Sequence, residues 1–167
     1  AKAITNGFFP FGAVMISDKV AGVFEADKTS FGAIGHGYTY SGHPVGAAAA
    51  LATLKETARV NTAANAAARG TELMAGLEGL KAKHELVGDV RGLGLMAALE
   101  LVSDRAKKSA AAKDVVQKVY DTAYDEGVMV RTSGANVIIS PPLVITAADV
   151  QRIVSALDAG LSAAEGK

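Results

Sequence analysis

The sequence predicts an α/β fold with antiparallel strands in its C-terminal part. Helical patterns alternate along the 167 residues with short apolar runs that are bounded by glycine or proline. Two of these runs, Val128–Val130 and Val137–Ser140, flank a turn at residues 132–136, which is the pattern of an antiparallel hairpin. Half of the residues are apolar, so the chain can bury a sizeable core.

A change in helix character predicts a boundary between two domains. From Pro44 to Leu54 the sequence is rich in alanine and carries no charge, a composition that favours a helix buried on every side. Charged residues begin at Lys55 and continue into a second helical pattern. We therefore assign residues 1–55 to the end of a large domain and residues 56–167 to a smaller C-terminal domain.

The N-terminal region is predicted to hold one strand and one short helix. Residues 1–12 are typical of a loop, and Ala13–Ser17 is typical of a buried strand. Ser17 or Asp18 is a suitable cap for a helix over Lys19–Ala26. Lys2 then lies beside a core element, where an apolar setting disfavours the charged amine and leaves it available as a nucleophile. A solvated charge is the alternative role for this lysine.

A glycine-rich loop precedes the alanine-rich helix. Residues 27–37 are polar, and residues 38–44 read YTYSGHP. Tight turns are expected in this glycine-rich segment. Pro44 suits the first position of a helix. Because free amide groups at a helix start attract anions, Thr39 is a candidate for binding a phosphate. A simple turn and helix cap is the alternative interpretation.

Three further helices and several strands are predicted in the C-terminal part. Helical patterns cover Thr62–Leu80 and Ala110–Glu126, and Leu95–Leu101 is typical of a strand. Thr146 and Asp149 have the spacing of a capping box at the start of a final helix.

Two polar residues of this part receive structural interpretations. We expect Arg91 to form a buried ion pair and His84 to lie on the surface.

The composition argues against several kinds of partner and chemistry. Seventeen Lys and Arg balance 17 Asp and Glu without a block of one charge, so no nucleic-acid or membrane surface is expected. No apolar run approaches the roughly 20 residues of a membrane helix. Without cysteine, and with three scattered histidines, neither thiol catalysis nor a metal centre is expected. We expect a cytoplasmic protein that binds a small molecule or a second copy of itself.

Taken in order, these segments resemble the C-terminal part of the class III pyridoxal-phosphate aminotransferases, fold-type-I enzymes that include the amine:pyruvate (omega) transaminases. Lys2 followed by Thr5–Gly7 is similar to the segment that carries the family's Schiff-base lysine. His36–Pro44 resembles the segment whose threonine reaches the cofactor phosphate across a dimer interface. The resemblance therefore implies a homodimer that binds pyridoxal 5'-phosphate through Lys2, Tyr38 and Thr39, with Lys2 as the catalytic residue.

The same resemblance implies a carboxylate-binding arginine. Val87–Leu95 and Ser140–Thr146 match further family patterns that are structural. Ornithine-type members carry an arginine three residues before the paired prolines, where this chain has Ile138. Amine:pyruvate members carry it earlier, at the position of Arg131, which is thus implied to bind the carboxylate of pyruvate or a similar keto acid. A solvent-exposed arginine at a strand end is the alternative.

The resemblance also concerns the extent of the chain. It makes residues 1–55 the end of the large cofactor domain and residues 56–167 the small domain. The family's aspartate to the pyridine nitrogen, its stacking aromatic ring and its main phosphate turn precede the lysine, so we expect the chain to be part of a longer polypeptide and inactive alone. An aminomutase or decarboxylase would share Lys2 and Thr39, and a non-catalytic α/β interaction module would bind no cofactor.

Overall fold

A computed structural model describes residues 1–26 and 35–167 of the protein. These residues fall into two units, Ala1–Val60 and Asn61–Lys167. The predicted loop at residues 27–34 lies outside the described part of the chain. None of the helices described is long and apolar enough to cross a membrane.

The first unit contains helices and turns. A 3-10 helix covers Lys2–Thr5, helix α1 covers Asp18–Ala26 and helix α2 covers Pro44–Arg59. Pro44 occupies the first turn of α2, as predicted, because its fixed φ is compatible with a helix and it has no amide hydrogen to leave unbonded. The prediction of a strand at Ala13–Ser17 is wrong, since these apolar residues are exposed and pair with no strand among the described residues.

Helix α2 is also less buried than its composition predicts. Only Gly46 and Ala50 are buried, whereas the exposed fractions of Leu51 and Leu54 are 57% and 55%. An apolar helix is buried only where another element packs on it. Within this unit that contact lies at Gly46, where an added Cβ would come within 2.6 Å of the Phe11 ring. The expectation of burial on every side is therefore wrong for this unit.

The second unit is a two-layer α/β structure. Its sheet is antiparallel, with the strand order β1-β2-β5-β4, and β3 pairs with the C-terminal end of β2. The elements are, in chain order, α3 Thr62–Lys83, β1 Val87–Leu93, β2 Met96–Asp104, β3 Ser109–Ala110, α4 Lys113–Asp125, β4 Arg131–Ser133, β5 Asn136–Ile139 and α5 Ala147–Glu165.

The core of this unit lies between the sheet and the three helices. In β2, Ala97, Leu99 and Leu101 are buried while the residues between them are partly exposed, as expected for a strand with one covered face. The helices contribute apolar side chains spaced three or four residues apart. The fully buried ones are Leu73 and Leu77 of α3, Val119 and Ala123 of α4, and Val150, Leu157 and Leu161 of α5.

Two helix predictions in this unit are confirmed, one by the geometry of its cap and the other by the bounds of the helix. Helix α5 begins with the predicted capping box, in which the Asp149 amide donates to Thr146 Oγ1 and the Thr146 amide donates to the Asp149 carboxylate. The predicted helix at Ala110–Glu126 is α4, which is slightly shorter at both ends.

The strand prediction at Val128–Val130 is displaced by three residues. These residues have no regular structure, and the strand that pairs with β5 is β4, which begins at Arg131. The turn is formed by Gly134 and Ala135 alone, with Gly134 at φ +57°. The apolar run was therefore a poor guide to the paired residues, because pairing is set by the register of the hairpin.

Arg91 and His84 occupy the opposite environments to those predicted. The side chain of Arg91 is 49% exposed, and it donates to Asp89 at 3.0 Å and to Glu100 at 2.7 Å. The hydrogen bond from Arg91 lowers the pKa of Asp89. His84, by contrast, is fully buried. Arg91 thus forms a surface ion pair, whereas the ring of His84 is buried and contacts the carboxylates of Asp158 and Glu165.

Candidate active site

Lys2 lies in a sequence of tight turns at the start of the first unit. Its backbone is left-handed, with φ +59°, and its side chain is exposed and has no hydrogen-bond or ion-pair partner among the described residues. Thr5 anchors this segment, since its buried hydroxyl donates to the Phe9 carbonyl at 2.6 Å. The apolar setting predicted for Lys2 is therefore not present within this unit.

Thr39 lies at the corner of a turn before helix α2. The Ser41 amide donates to the Tyr38 carbonyl at 2.9 Å, and the Tyr38 amide donates to Ser41 Oγ at 2.9 Å. This closed turn leaves the exposed Thr39 hydroxyl without a hydrogen-bond partner in the described ranges 1–26 and 35–167. The ring of Tyr38 is 76% exposed and lies 5.4 Å from the ring of His36.

Aromatic contacts connect the lysine segment to the threonine loop. The rings of Phe9 and His43 are 5.1 Å apart, and His43 Nδ1 accepts a hydrogen bond from the Val45 amide at the start of α2. Gly46 permits the approach of Phe9, whose ring would lie 3.0 Å from a Cβ at that position. These contacts were missed in the sequence, although the Phe-Phe-Pro-Phe run after Lys2 was a signal for them.

The donor set of this unit fits pyridoxal phosphate. The cofactor has an aldehyde that reacts with an amine and a phosphate that accepts hydrogen bonds. Lys2 provides an amine and Thr39 a hydroxyl, and neither group has a partner among the described residues. The residues present are therefore compatible with the cofactor that the resemblance implies.

Arg131 lies in the second unit, at the first residue of β4. The side chain is exposed, and no carboxylate of the described residues pairs with it. It lines a cavity of about 330 Å³ whose other walls are mainly apolar. The lining includes Val128, Met129, Ile138, Ile139, Pro141 and Pro142. An unpaired guanidinium beside apolar side chains suits a ligand with a carboxylate and an apolar body.

The position that bears an arginine in ornithine-type relatives lies directly opposite Arg131. Arg131 and Ile138 are partners in the β4–β5 register. Opposite residues of an antiparallel pair project from the same face of the sheet, with their Cβ atoms about 5 Å apart. An arginine at either position would therefore carry its charge to the same side of this hairpin.

Asn65 was missed in the sequence. Its side-chain amide on α3 donates to the carbonyls of Leu143 at 2.8 Å and Ile145 at 3.0 Å. It thus fixes the loop that follows the paired prolines. Both prolines line the cavity of Arg131. No local pattern signals such a contact, because its partners lie 78 and 80 residues away.

The fold and the candidate residues agree with a family assignment. The family described as aminotransferase class-III matches residues 1–161. The chain therefore belongs to the class III aminotransferases, which are fold-type-I enzymes that depend on pyridoxal phosphate.

Individual relatives are transaminases of several kinds. An uncharacterized aminotransferase of Sinorhizobium fredii is 40% identical over 159 residues, and the taurine–pyruvate aminotransferase of Bilophila wadsworthia is 34% identical over 175. The alignments cover 93% and 100% of this chain but 34% and 38% of those relatives. A solved amine transaminase from an uncultivated Pseudomonas species, with bound pyridoxal phosphate, is 39% identical with a TM-score of 0.92, and the match covers 96% of this chain and 37% of that one. The chain thus spans about a third of the length of these relatives.

Proposed function

We propose that the full-length protein containing this chain is a transaminase that moves an amino group from an amine or amino-acid donor to pyruvate or a similar keto acid. The observation that carries the proposal is the Lys2 amine, which pairs with no group in the described ranges 1–26 and 35–167, in a chain whose residues 1–161 match the class III aminotransferases. Arg131 supports the choice of acceptor, because its guanidinium borders an apolar cavity and Ile138 occupies the alternative position. The chain spans about a third of the length of its relatives, and we expect it to be inactive alone.

In the domain arrangement that we propose, residues 1–55 complete the large cofactor domain and residues 56–167 form the small domain. Support comes from the division of the described chain at Val60, five residues beyond the proposed boundary.

The candidate residues share the tasks of cofactor binding, proton transfer and acceptor binding in the proposed mechanism. Pyridoxal phosphate, when bound, supplies an aldehyde and a ring that withdraws electrons from the substrate carbon. Lys2 Nζ would hold the cofactor and, as a free amine, would act as the general acid and base that carries a proton between the substrate carbon and C4′ of the cofactor. The Thr39 hydroxyl donates to the phosphate, and Tyr38 lies beside it in the same loop. Arg131 binds the acceptor carboxylate through two parallel hydrogen bonds.

Product analysis of the full-length protein tests the function. Incubated with pyridoxal phosphate, pyruvate and either an arylalkyl amine or an amino-acid donor, it is expected to form alanine and the corresponding ketone or keto acid in equal amounts, and Lys2→Ala is expected to form neither. Lys19→Ala, which removes an exposed lysine of α1, is the control and should retain activity. Carbon dioxide release or migration of the amino group within one substrate would instead identify a decarboxylase or an aminomutase and refute the proposal.

We further propose a cytoplasmic homodimer in which Thr39 of one subunit serves the site of the other. The Thr39 hydroxyl is exposed and has no hydrogen-bond partner among the described residues, which supports this role because the hydroxyl is available to a second subunit. Mixed dimers of Lys2→Ala and Thr39→Ala subunits test it, because a threonine acting across the interface produces one wild-type site and one doubly defective site. Activity no higher than that of the Thr39→Ala dimer would refute the cross-subunit role, and cell fractionation tests the location.

A further inference from the structure

His84 is a buried titratable residue for which the proposed mechanism has no use. It caps the C-terminal end of α3, and none of its side chain is exposed. Its Nε2 lies 2.6 Å from Oδ1 of Asp158, and its Nδ1 lies 2.8 Å from Oε2 of Glu165. Both carboxylates belong to α5. The ring therefore connects two helices through both of its nitrogens.

The two contacts determine how many protons the ring must carry. A neutral imidazole has one N–H donor, and its other nitrogen is an acceptor. Ionised carboxylates are acceptors only, so a neutral ring would direct one lone pair at a carboxylate oxygen within 2.8 Å. A ring with two N–H groups satisfies both carboxylates of Asp158 and Glu165 at once.

The surroundings keep both carboxylates ionised. Burial alone would raise the pKa of Glu165, but hydrogen bonds from Lys167, His84 and the Leu86 amide lower it to about 2. Burial likewise opposes ionisation of Asp158, yet hydrogen bonds from Lys83 and His84 lower its pKa. Neither carboxyl group is therefore protonated at neutral pH, so neither can donate a hydrogen bond to an unprotonated ring nitrogen.

Other charges around the ring are more distant from it or exposed. Lys83 forms an ion pair with Asp158, and Lys167 forms one with Glu165. Glu85 follows His84 in the chain, and Arg105 donates to the His84 carbonyl and lies 3.6 Å from Glu85. The side chains of Lys83 and Lys167 are each 57% exposed, so solvent screens their repulsion of a charged ring. The negative end of the α3 dipole favours a cation at the cap position.

We propose that His84 is a buried imidazolium that carries a proton on both ring nitrogens and acts as a pH-sensitive lock, holding helix α5 against the C-terminal end of α3 until one proton is lost. The lock lies entirely within the unit Asn61–Lys167 and does not depend on the proposed function. Loss of the proton leaves one carboxylate facing a lone pair, which weakens the attachment of α5.

The lock makes stability depend on pH in a defined direction. An unfolded chain carries mostly neutral histidine above pH 7, because the ordinary pKa of this side chain is about 6.5. A folded chain that keeps the second proton at His84 binds one proton more than the unfolded chain. Its stability therefore falls as the pH rises, and the unfolding constant increases by about tenfold per pH unit while the lock stays closed.

Nitrogen NMR of the full-length protein, labelled with ¹⁵N in its histidine rings, measures the protonation directly. At pH 7.5 we expect one buried histidine with both nitrogens protonated and with slowly exchanging N–H protons. The signals are assigned to His84 by their loss in His84→Gln or, if that variant does not fold, by their shift in Glu165→Gln. One unprotonated nitrogen on this ring at pH 7.5 overturns the proposal.

Denaturant unfolding at pH 7 and pH 8 tests the switch itself. The ratio of the unfolding constant at pH 8 to that at pH 7 should be about tenfold larger in the wild type than in His84→Gln. Glu165→Gln, which removes one partner of the ring, should reduce this dependence. Glu78→Gln is the matched control, since it removes an exposed carboxylate of α3 that has no partner among the described residues. Equal pH dependence in the wild type, Glu165→Gln and Glu78→Gln would overturn the lock.

Discussion

At the scale of the residue, Thr39 tests how a single hydroxyl contributes to cofactor binding. The hydrogen bonds that close the Tyr38–Ser41 turn do not use the Thr39 side chain. Thr39→Ala is therefore expected to leave the turn intact and to weaken cofactor retention by about 1.5–3 kcal/mol, the contribution of a hydrogen bond to a charged group. Equilibrium dialysis of the full-length protein, followed by cofactor absorbance, measures the change.

Thr39→Ser is the matched control for this prediction, because serine keeps the hydroxyl and loses only a methyl group. It should retain the cofactor nearly as well as the wild type. If Thr39→Ala and Thr39→Ser retain the cofactor with equal affinity, the hydroxyl does not bind the phosphate.

The environments of individual residues were the least predictable feature. His84 was expected on the surface, but it is buried against two partners that lie 74 and 81 residues away on α5. Lys2 was expected beside a buried strand, yet the apolar residues Ala13–Ser17 are exposed in the described unit. In both cases burial depends on contacts between distant segments, which a single sequence does not specify.

At the scale of the element, Gly70 controls the contact between α3 and the β1–β2 turn. A Cβ at this position would lie 2.5 Å from the backbone of Gly94. Gly70→Ala should therefore separate the two elements and destabilise the protein by about 1–3 kcal/mol, the usual cost of overpacking. Denaturant unfolding of the full-length protein measures this loss.

Gly79→Ala in the same helix is the control, because no atom lies within 4 Å of its added Cβ. Without a clash, alanine should stabilise the helix by about 0.5–1 kcal/mol. Equal destabilisation by both substitutions would show that the close approach at Gly94 is not the cause.

The β4–β5 hairpin offers a prediction about acceptor specificity. Arg131→Ala should lower the rate of the pyruvate half-reaction by about a hundredfold, since a bidentate contact to a carboxylate contributes a few kcal/mol. The half-reaction with an uncharged amine should barely change. Adding Ile138→Arg should recover part of the loss, because the two positions are opposite each other. Stopped-flow absorbance of the cofactor follows the half-reactions separately.

Arg152→Ala is the control for the hairpin variants, since Arg152 is an exposed arginine of α5 that does not line the cavity of Arg131. It should leave both half-reactions unchanged. Equal losses for pyruvate and for the amine in Arg131→Ala would show that Arg131 supports the hairpin and not substrate selection.

Helices were easier to predict than strands for a physical reason. The start of α5 is determined by Thr146 and Asp149, which bond each other within one turn, so the local sequence is sufficient. The start of β4 depends on its register with β5, and the apolar residues Val128–Val130 point to the wrong segment. Pairing partners, unlike caps, are not local.

At the scale of the whole molecule, the order of motifs was more informative than any one of them. The lysine segment, the threonine loop and the paired prolines each have ordinary structural interpretations, but together they indicated the family that matches residues 1–161. The roles of Lys2, Tyr38, Thr39 and Arg131 are still predictions, because the chain spans about a third of its relatives.

Trapping of the cofactor on its lysine tests the central claim most directly. Treating the cofactor-loaded full-length protein with borohydride reduces the bond between lysine and cofactor, and peptide mass spectrometry then locates the pyridoxyl group. We predict stoichiometric labelling of Lys2 and none in Lys2→Arg, whose guanidinium does not react with the aldehyde. Labelling of Lys19 or another lysine in place of Lys2, or no labelling of the wild type, would contradict the account.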